Sequence, residues 1–228
     1  MRAADAADTH DRWLYRVGGI SALVLGLAYV VIFPLYARVG APPTGDGAAW
    51  LEYLAGKTDV WWLILGLSVL TDLLFVPVAL ALYVALEPIN RQAMRLASAF
   101  VALFVVLDLA VTWTGYASLI NLSVRYAAAT SDAQRAAYVT AAHAASAVLT
   151  SRLEVVYAIV TLSSGILLTG LVMLRGRFGR ITAGLGVVTG VLGIVSLAGM
   201  TVTIIMNAVL ATLWLFFVGY RLCRLGRR

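Results

Sequence analysis

The stretch VWWLILGLSVLTDLLFVPVALALYVAL, residues 60–86, contains a single charged side chain, Asp72. A helix rises about 1.5 Å per residue and needs about 20 mostly apolar residues to cross the hydrocarbon core of a bilayer, so this stretch reads as a membrane span. Five further segments of the same kind follow outward from it, at residues 14–36, 95–120, 147–174, 181–199 and 201–222. The composition agrees. The 228 residues are 62% hydrophobic and 12% charged, with a mean hydropathy of +0.93, against roughly 45–50% apolar and 25% charged in a soluble domain. A soluble globule is excluded, because too little polar surface exists to keep it dispersed. The expected fold is all-α, a polytopic transmembrane bundle of six spans. Residues 14–222 form its single domain, between an N-terminal tail at 1–13 and a basic C-terminal tail at 223–228.

The net charge of +6 would suggest nucleic acid in a soluble protein, but the basic residues cluster at the ends of apolar segments and read as topology signals instead. Arg2, Arg12, Arg16, Arg91, Arg95, Arg175, Arg177, Arg180, Arg221, Arg224, Arg227 and Arg228 fall on one side of the expected membrane. Only Arg38, Lys57, Arg125, Arg135 and Arg152 fall on the other. Twelve against five puts both termini in the cytoplasm, as an even number of spans also requires, in a multi-pass protein of the plasma (inner) membrane. The first span is read as retained rather than as a cleaved signal, since Asp5, Asp8 and Asp11 precede it and Pro42 and Pro43 follow a candidate cleavage site at Ala41. The lone Cys223 excludes a disulfide framework, and two histidines, His10 and His143, are too few for a transition-metal site, so no metal and no cofactor is expected.

The outer loops carry their own signals. After Pro42, Pro43, Gly45 and Gly47, the apolar residues Trp50, Leu51, Tyr53 and Leu54 suit a short helix lying at the interface. Ser131 and Gln134 form a capping-box pattern, so a helix is expected to start outside the bilayer and continue into span four. A tight hairpin is expected near Gly199 and Met200. Gly18, Ala22 and Gly26 on span one, and Gly186 and Gly190 on span five, have the small-xxx-small spacing that lets helix backbones touch in lipid. Trp13, Trp50, Trp61 and Trp62 stand at span ends, where an aromatic belt would place them.

Ionisable groups at membrane depth cost roughly 2.5–3.5 kcal/mol each on insertion scales and mark functional candidates. Asp72 and Asp108 both fall near the midplane, on spans that a short turn makes antiparallel, so they could face each other and share a proton. Glu154 stands further out, on a helix whose His143, Ser146, Thr150, Glu154, Tyr157, Thr161 and Ser164 recur at steps of three and four. Such a face is expected to point inward. Span three offers Thr114, Ser118, Asn121 and Arg125, span six Thr203, Asn207 and Trp214, and span two Trp61, Ser68 and Tyr83. The expectation is an outward-facing polar cavity floored by Asp72 and Asp108. Asn121, Arg125, Arg152, Tyr157, Asn207 and Trp214 are its ligand-binding candidates, and Asp72, Asp108 and Glu154 its candidates for chemistry.

Three motifs carry a resemblance: Arg16-Val17-Gly18-Gly19-Ile20 opening span one, Leu70-Thr71-Asp72 followed by Pro77 and Ala81-Leu82-Tyr83 in span two, and the Arg-Gly-Arg-Phe-Gly-Arg turn at 175–180. With them the chain resembles, over residues 14–220, a family of uncharacterised six-span bacterial membrane proteins whose shared domain has no assigned function. The resemblance implies fold and location, and no substrate or catalytic residue. Beyond the bilayer itself, three functions stay open. The first is a transporter or binder of a small amphipathic molecule or lipid, with the carboxyl groups coupling protons. The second is an embedded enzyme acting on a lipid or isoprenoid through a buried Asp general acid, although no HExxH, DxxD or GxSxG stands within a span. The third is an accessory subunit.

Overall fold

The computed structural model describes residues 2–44, 46–176, 178–198 and 201–227, with side chains apart from those of 2–10 and 201. It is all-helical, with no strand among the described residues. The helices are α1 (Arg2–Val39), α2 (Gly47–Leu54), α3 (Thr58–Leu107), α4 (Thr114–Ala127), α5 (Asp132–Leu149), α6 (Arg152–Val155), α7 (Thr161–Met173), α8 (Arg180–Val195) and α9 (Thr201–Leu225). One π-helical turn, Asp108–Trp113, joins α3 to α4, and a second, Val156–Val160, joins α6 to α7. Five continuous segments are long and apolar enough to cross a membrane: Asp11–Val39, Thr58–Ala127, Arg152–Met173, Arg180–Ala198 and Val202–Leu225. The hairpin expected at Gly199 and Met200, like Gly45, Arg177 and Arg228, lies outside the described residues.

The longest segment is bent back on itself. Asn90 leaves the helix at φ −155°, ψ 89°, two residues after Pro88, and its Oδ1 accepts from the N–H of Ala93 at 3.1 Å. Proline removes a backbone donor and disfavours helix at the residue before it, and an Asn cap then restarts the next arm. The two arms of α3 pack antiparallel, with Phe75 edge-on to Phe104 at 5.6 Å.

Around the bundle, α1 lies on the first arm of α3, the second arm on α7, α7 on α8, α8 on α9, and α9 again on α1. Glycines set these approaches. A Cβ on Gly18 would strike Ala81, one on Gly165 would come within 3.0 Å of the Ala97 carbonyl, and one on Gly170 within 2.7 Å of the Val187 nitrogen. Lipid supplies no hydrophobic drive between helices, so close van der Waals contact has to hold them together. Large apolar side chains such as Ile20, Leu27, Leu73 and Val106 cover the outside of the ring and are left exposed, as a surface bathed in acyl chains requires. At one end of the ring, Arg16 Nε donates to the Gly226 carbonyl at 2.7 Å, which ties the start of the apolar part of α1 to the end of α9.

At the opposite end the structure departs from the sequence reading in three ways. First, α2 does not lie free at an interface. Its Trp50, Leu51 and Leu54 are buried against α4 and α5, and Ser123 Oγ of α4 donates to the Leu51 carbonyl at 3.0 Å. Gly47 makes this docking possible, because a Cβ there would collide with the backbone of Val139 and His143. Second, Trp50 and Trp61 are no part of an aromatic belt. They are 1% and 0% exposed, and Trp61 stacks on Tyr116 at 5.0 Å. Trp13 and Trp62 are exposed. Third, the helix that begins at Asp132 stops at Leu149. Ser151 turns extended, at φ −73° and ψ 153°, and its Oγ caps the Glu154 N–H at 3.3 Å, so a new helix starts there. Ser151-Arg152-Leu153-Glu154 is itself a capping-box pattern.

Candidate functional site

The two π turns touch each other across the bundle, and between them lies a cavity of about 220 Å³. A π turn carries one residue more than the α-helical repeat, which rotates the following face and spreads the local packing; such turns recur at functional sites. The first is stabilised by Thr114, whose Oγ1 donates five residues back to the Leu109 carbonyl at 2.9 Å.

Three carboxyl groups line the cavity: Asp72 from the first arm of α3, Asp108 from the first π turn and Glu154 from α6. Asp72 and Asp108 come together through one donor. Trp113 Nε1 donates to Asp72 Oδ2 at 2.9 Å and to Asp108 Oδ2 at 3.0 Å. A single N–H shared between two carboxyl groups satisfies neither fully, and Asp108 Oδ1 is buried with no hydrogen-bond partner. Thr71 does not assist, since its hydroxyl donates to the Ser68 carbonyl at 2.7 Å. Glu154 is half-buried, and its carboxyl makes no hydrogen bond or ion pair among the described residues.

Aromatic rings form part of the remaining wall. Tyr29 and Tyr36 of α1, Trp113 and Tyr116 line it, and Trp113 packs tilted on Tyr116 at 5.6 Å. Asn207 also lines it while joining two other helices: its Nδ2 donates to the Thr189 carbonyl at 2.7 Å and to Ser163 Oγ at 3.4 Å.

The remaining sequence candidates are elsewhere. Asn121, Arg125 and Arg152 are exposed, and Tyr157 is half-buried outside the lining. Trp214 is buried at 2% exposure against Gly186, whose missing side chain makes room for the indole. The expected polar face of span four is broken twice, at Thr150–Ser151 and again at the second π turn. Most of its hydroxyls bond their own helix: Thr150 to the Ser146 carbonyl, Thr161 to Tyr157 and Ser164 to Val160. Hydroxyls satisfied in this way need no cavity. Of that face only Glu154 reaches the site.

Depth in span three marks Trp113, like Trp214, as a residue that packs or lines a pocket, but periodicity hides its pairing with the aspartates, because it stands five residues after Asp108 and an α-helix would put it on a different face. Tyr29 and Tyr36 were legible: seven residues apart, they share a face of α1 with the buried Ala22, Leu25 and Ile32. No protein-family model, curated protein or solved structure matches the chain.

Proposed function

We propose that the chain is a six-span protein of the plasma membrane, both termini cytoplasmic, that binds and carries a small amphipathic molecule in the cavity between the two π turns. The observation that carries the reading is the pair of buried carboxyl groups, Asp72 and Asp108, held on one indole N–H at the edge of a 220 Å³ space inside the bundle. Buried ionisable groups in a membrane are expensive, and they persist where a ligand or a proton path uses them. The Asn90 bend supports six spans, since it divides Thr58–Ala127 into two antiparallel arms. The basic residues support the orientation: Arg16, the Asn90 turn with Arg91 and Arg95, and Arg221 beside Gly179 gather at the end where α1 meets Gly226.

Two measurements test this. In a Cys223→Ser background, an impermeant maleimide added to intact cells should label Pro42→Cys and spare Gly176→Cys; labelling of Gly176→Cys would reverse the orientation. Melting of the purified protein in detergent, scanned against neutral, anionic and cationic amphipathic compounds, should show at least one class raising Tm. That rise should be lost when Asp72→Asn and Asp108→Asn are combined. If no class raises Tm, the binding reading fails.

A further inference from the structure

The cavity has a charge character and a set of unmet bonds that together specify a ligand, granted that it binds one at all. We propose that its ligand is a small protonated amine carrying an apolar, ring-sized body.

The charge argument comes first. Asp72, Asp108 and Glu154 line one cavity, and no Lys, Arg or His among the described residues lines it with them. Carboxylates away from water need a counter-charge or a proton, and this wall supplies no counter-charge. An anion would add to the repulsion, which the neutral hydroxyl and N–H donors of the wall do not cancel.

The bonds narrow the class. Asp108 and Thr112 line the site at 4% and 3% exposure, and Asp108 Oδ1 and the Thr112 hydroxyl are buried without a hydrogen-bond partner. A compact ammonium brings three N–H donors, enough for Asp108 and a second carboxyl group together. A bare metal ion fits less well. Among the described residues the three carboxyl groups do not converge as a metal-ligand cluster, so they do not share one bare ion.

The walls supply the apolar half. Tyr29, Tyr36, Trp113 and Tyr116 present ring surface to the space, which suits both a cation near a ring face and a hydrocarbon body packed between rings. The volume of about 220 Å³ falls below the roughly 300–1,000 Å³ of pockets that hold drug-sized molecules, which limits the ligand to a small amine.

The experiment titrates purified wild-type protein in detergent micelles at pH 7 with three matched probes: 2-phenylethylammonium, 2-phenylethanol and 3-phenylpropanoate. Sodium chloride at equal ionic strength is the control. The ammonium should bind, with the alcohol roughly tenfold weaker or worse and the carboxylate undetectable. Glu154→Gln should weaken the ammonium by about tenfold without weakening the alcohol, and Asp108→Asn should act in the same direction. Because Glu154 is half-buried, its substitution keeps the test available if Asp108→Asn does not fold. Equal or tighter binding of the alcohol or the carboxylate, lost in the Asp108→Asn variant, would overturn the amine assignment and leave the binding cavity standing. No binding by any of the three would overturn both. Ammonium binding that survives Glu154→Gln and Asp108→Asn unchanged would place the amine elsewhere and overturn the proposal.

Discussion

The two ends of the bundle are built by different means. At the end where α1 meets Gly226, the helices are regular and pressed together on glycine, with Gly170 against Gly186 and Val187, and Gly18 against Ala81. At the other end Gly47 still brings α2 onto α5, but aromatic rings fill the space beside it. Trp50 packs edge to face, Trp61 stacked and Trp113 tilted on Tyr116, the short α2 plugs between α4 and α5, and both π turns stand at the boundary between the two regimes. Small residues let backbones touch and leave no room; large rings and an extra residue per turn hold them apart. The cavity lies where one regime gives way to the other, so a rigid glycine-packed base supports an open, aromatic mouth.

This contrast is easiest to break at its tight end. Gly170→Val puts side-chain atoms onto the backbone of α8, which cannot rotate away, and should cost about 3 kcal/mol in a reversible unfolding titration in mixed micelles. A cost under about 1 kcal/mol would mean that the helices are not held at contact distance.

The boundary is tested next. Trp113→Phe keeps a smaller aromatic ring and removes the N–H that both carboxyl groups accept, and should cost about 1–3 kcal/mol. In a double-mutant cycle, Asp72→Asn and Asp108→Asn should couple by about 1 kcal/mol, since residues in one hydrogen-bond network are not additive. Strict additivity would separate the two aspartates and leave the indole bonding each of them independently.

The open end should show smaller effects. Ser151→Ala removes the cap that restarts the chain at Arg152, and should cost about 1 kcal/mol and speed hydrogen exchange at the amides of 152–155. Unchanged exchange would mean that the break is held by packing and not by its cap. Asn121→Ala and Arg152→Ala, both exposed, should stay within about 0.5 kcal/mol in stability and leave ligand affinity as it was. A tenfold loss of affinity from either would bring the outer face back into the site.

Sequence alone determined the membrane character, because hydropathy summed over 20 residues outweighs any local detail, and it marked Asp72, Asp108 and Glu154, because a carboxyl group in such a run has no cheap explanation. It also held two signals that a fixed 3.6-residue period obscures: the Asn90 cap after Pro88, and the Ser151–Glu154 box inside an apparently continuous polar face. Tertiary structure alone decided which polar groups meet. Asn121 and Arg125 fell away from the site and Trp113 entered it, because the inserted π-turn residue re-aims every side chain beyond it. The hydroxyls of span four dropped out because their own backbone carbonyls, one turn back, satisfied them first. The spacing of polar residues along a helix sets which face they share only while the helix stays α. Whether it stays α depends on the packing against its neighbours, and one segment's sequence does not contain that information.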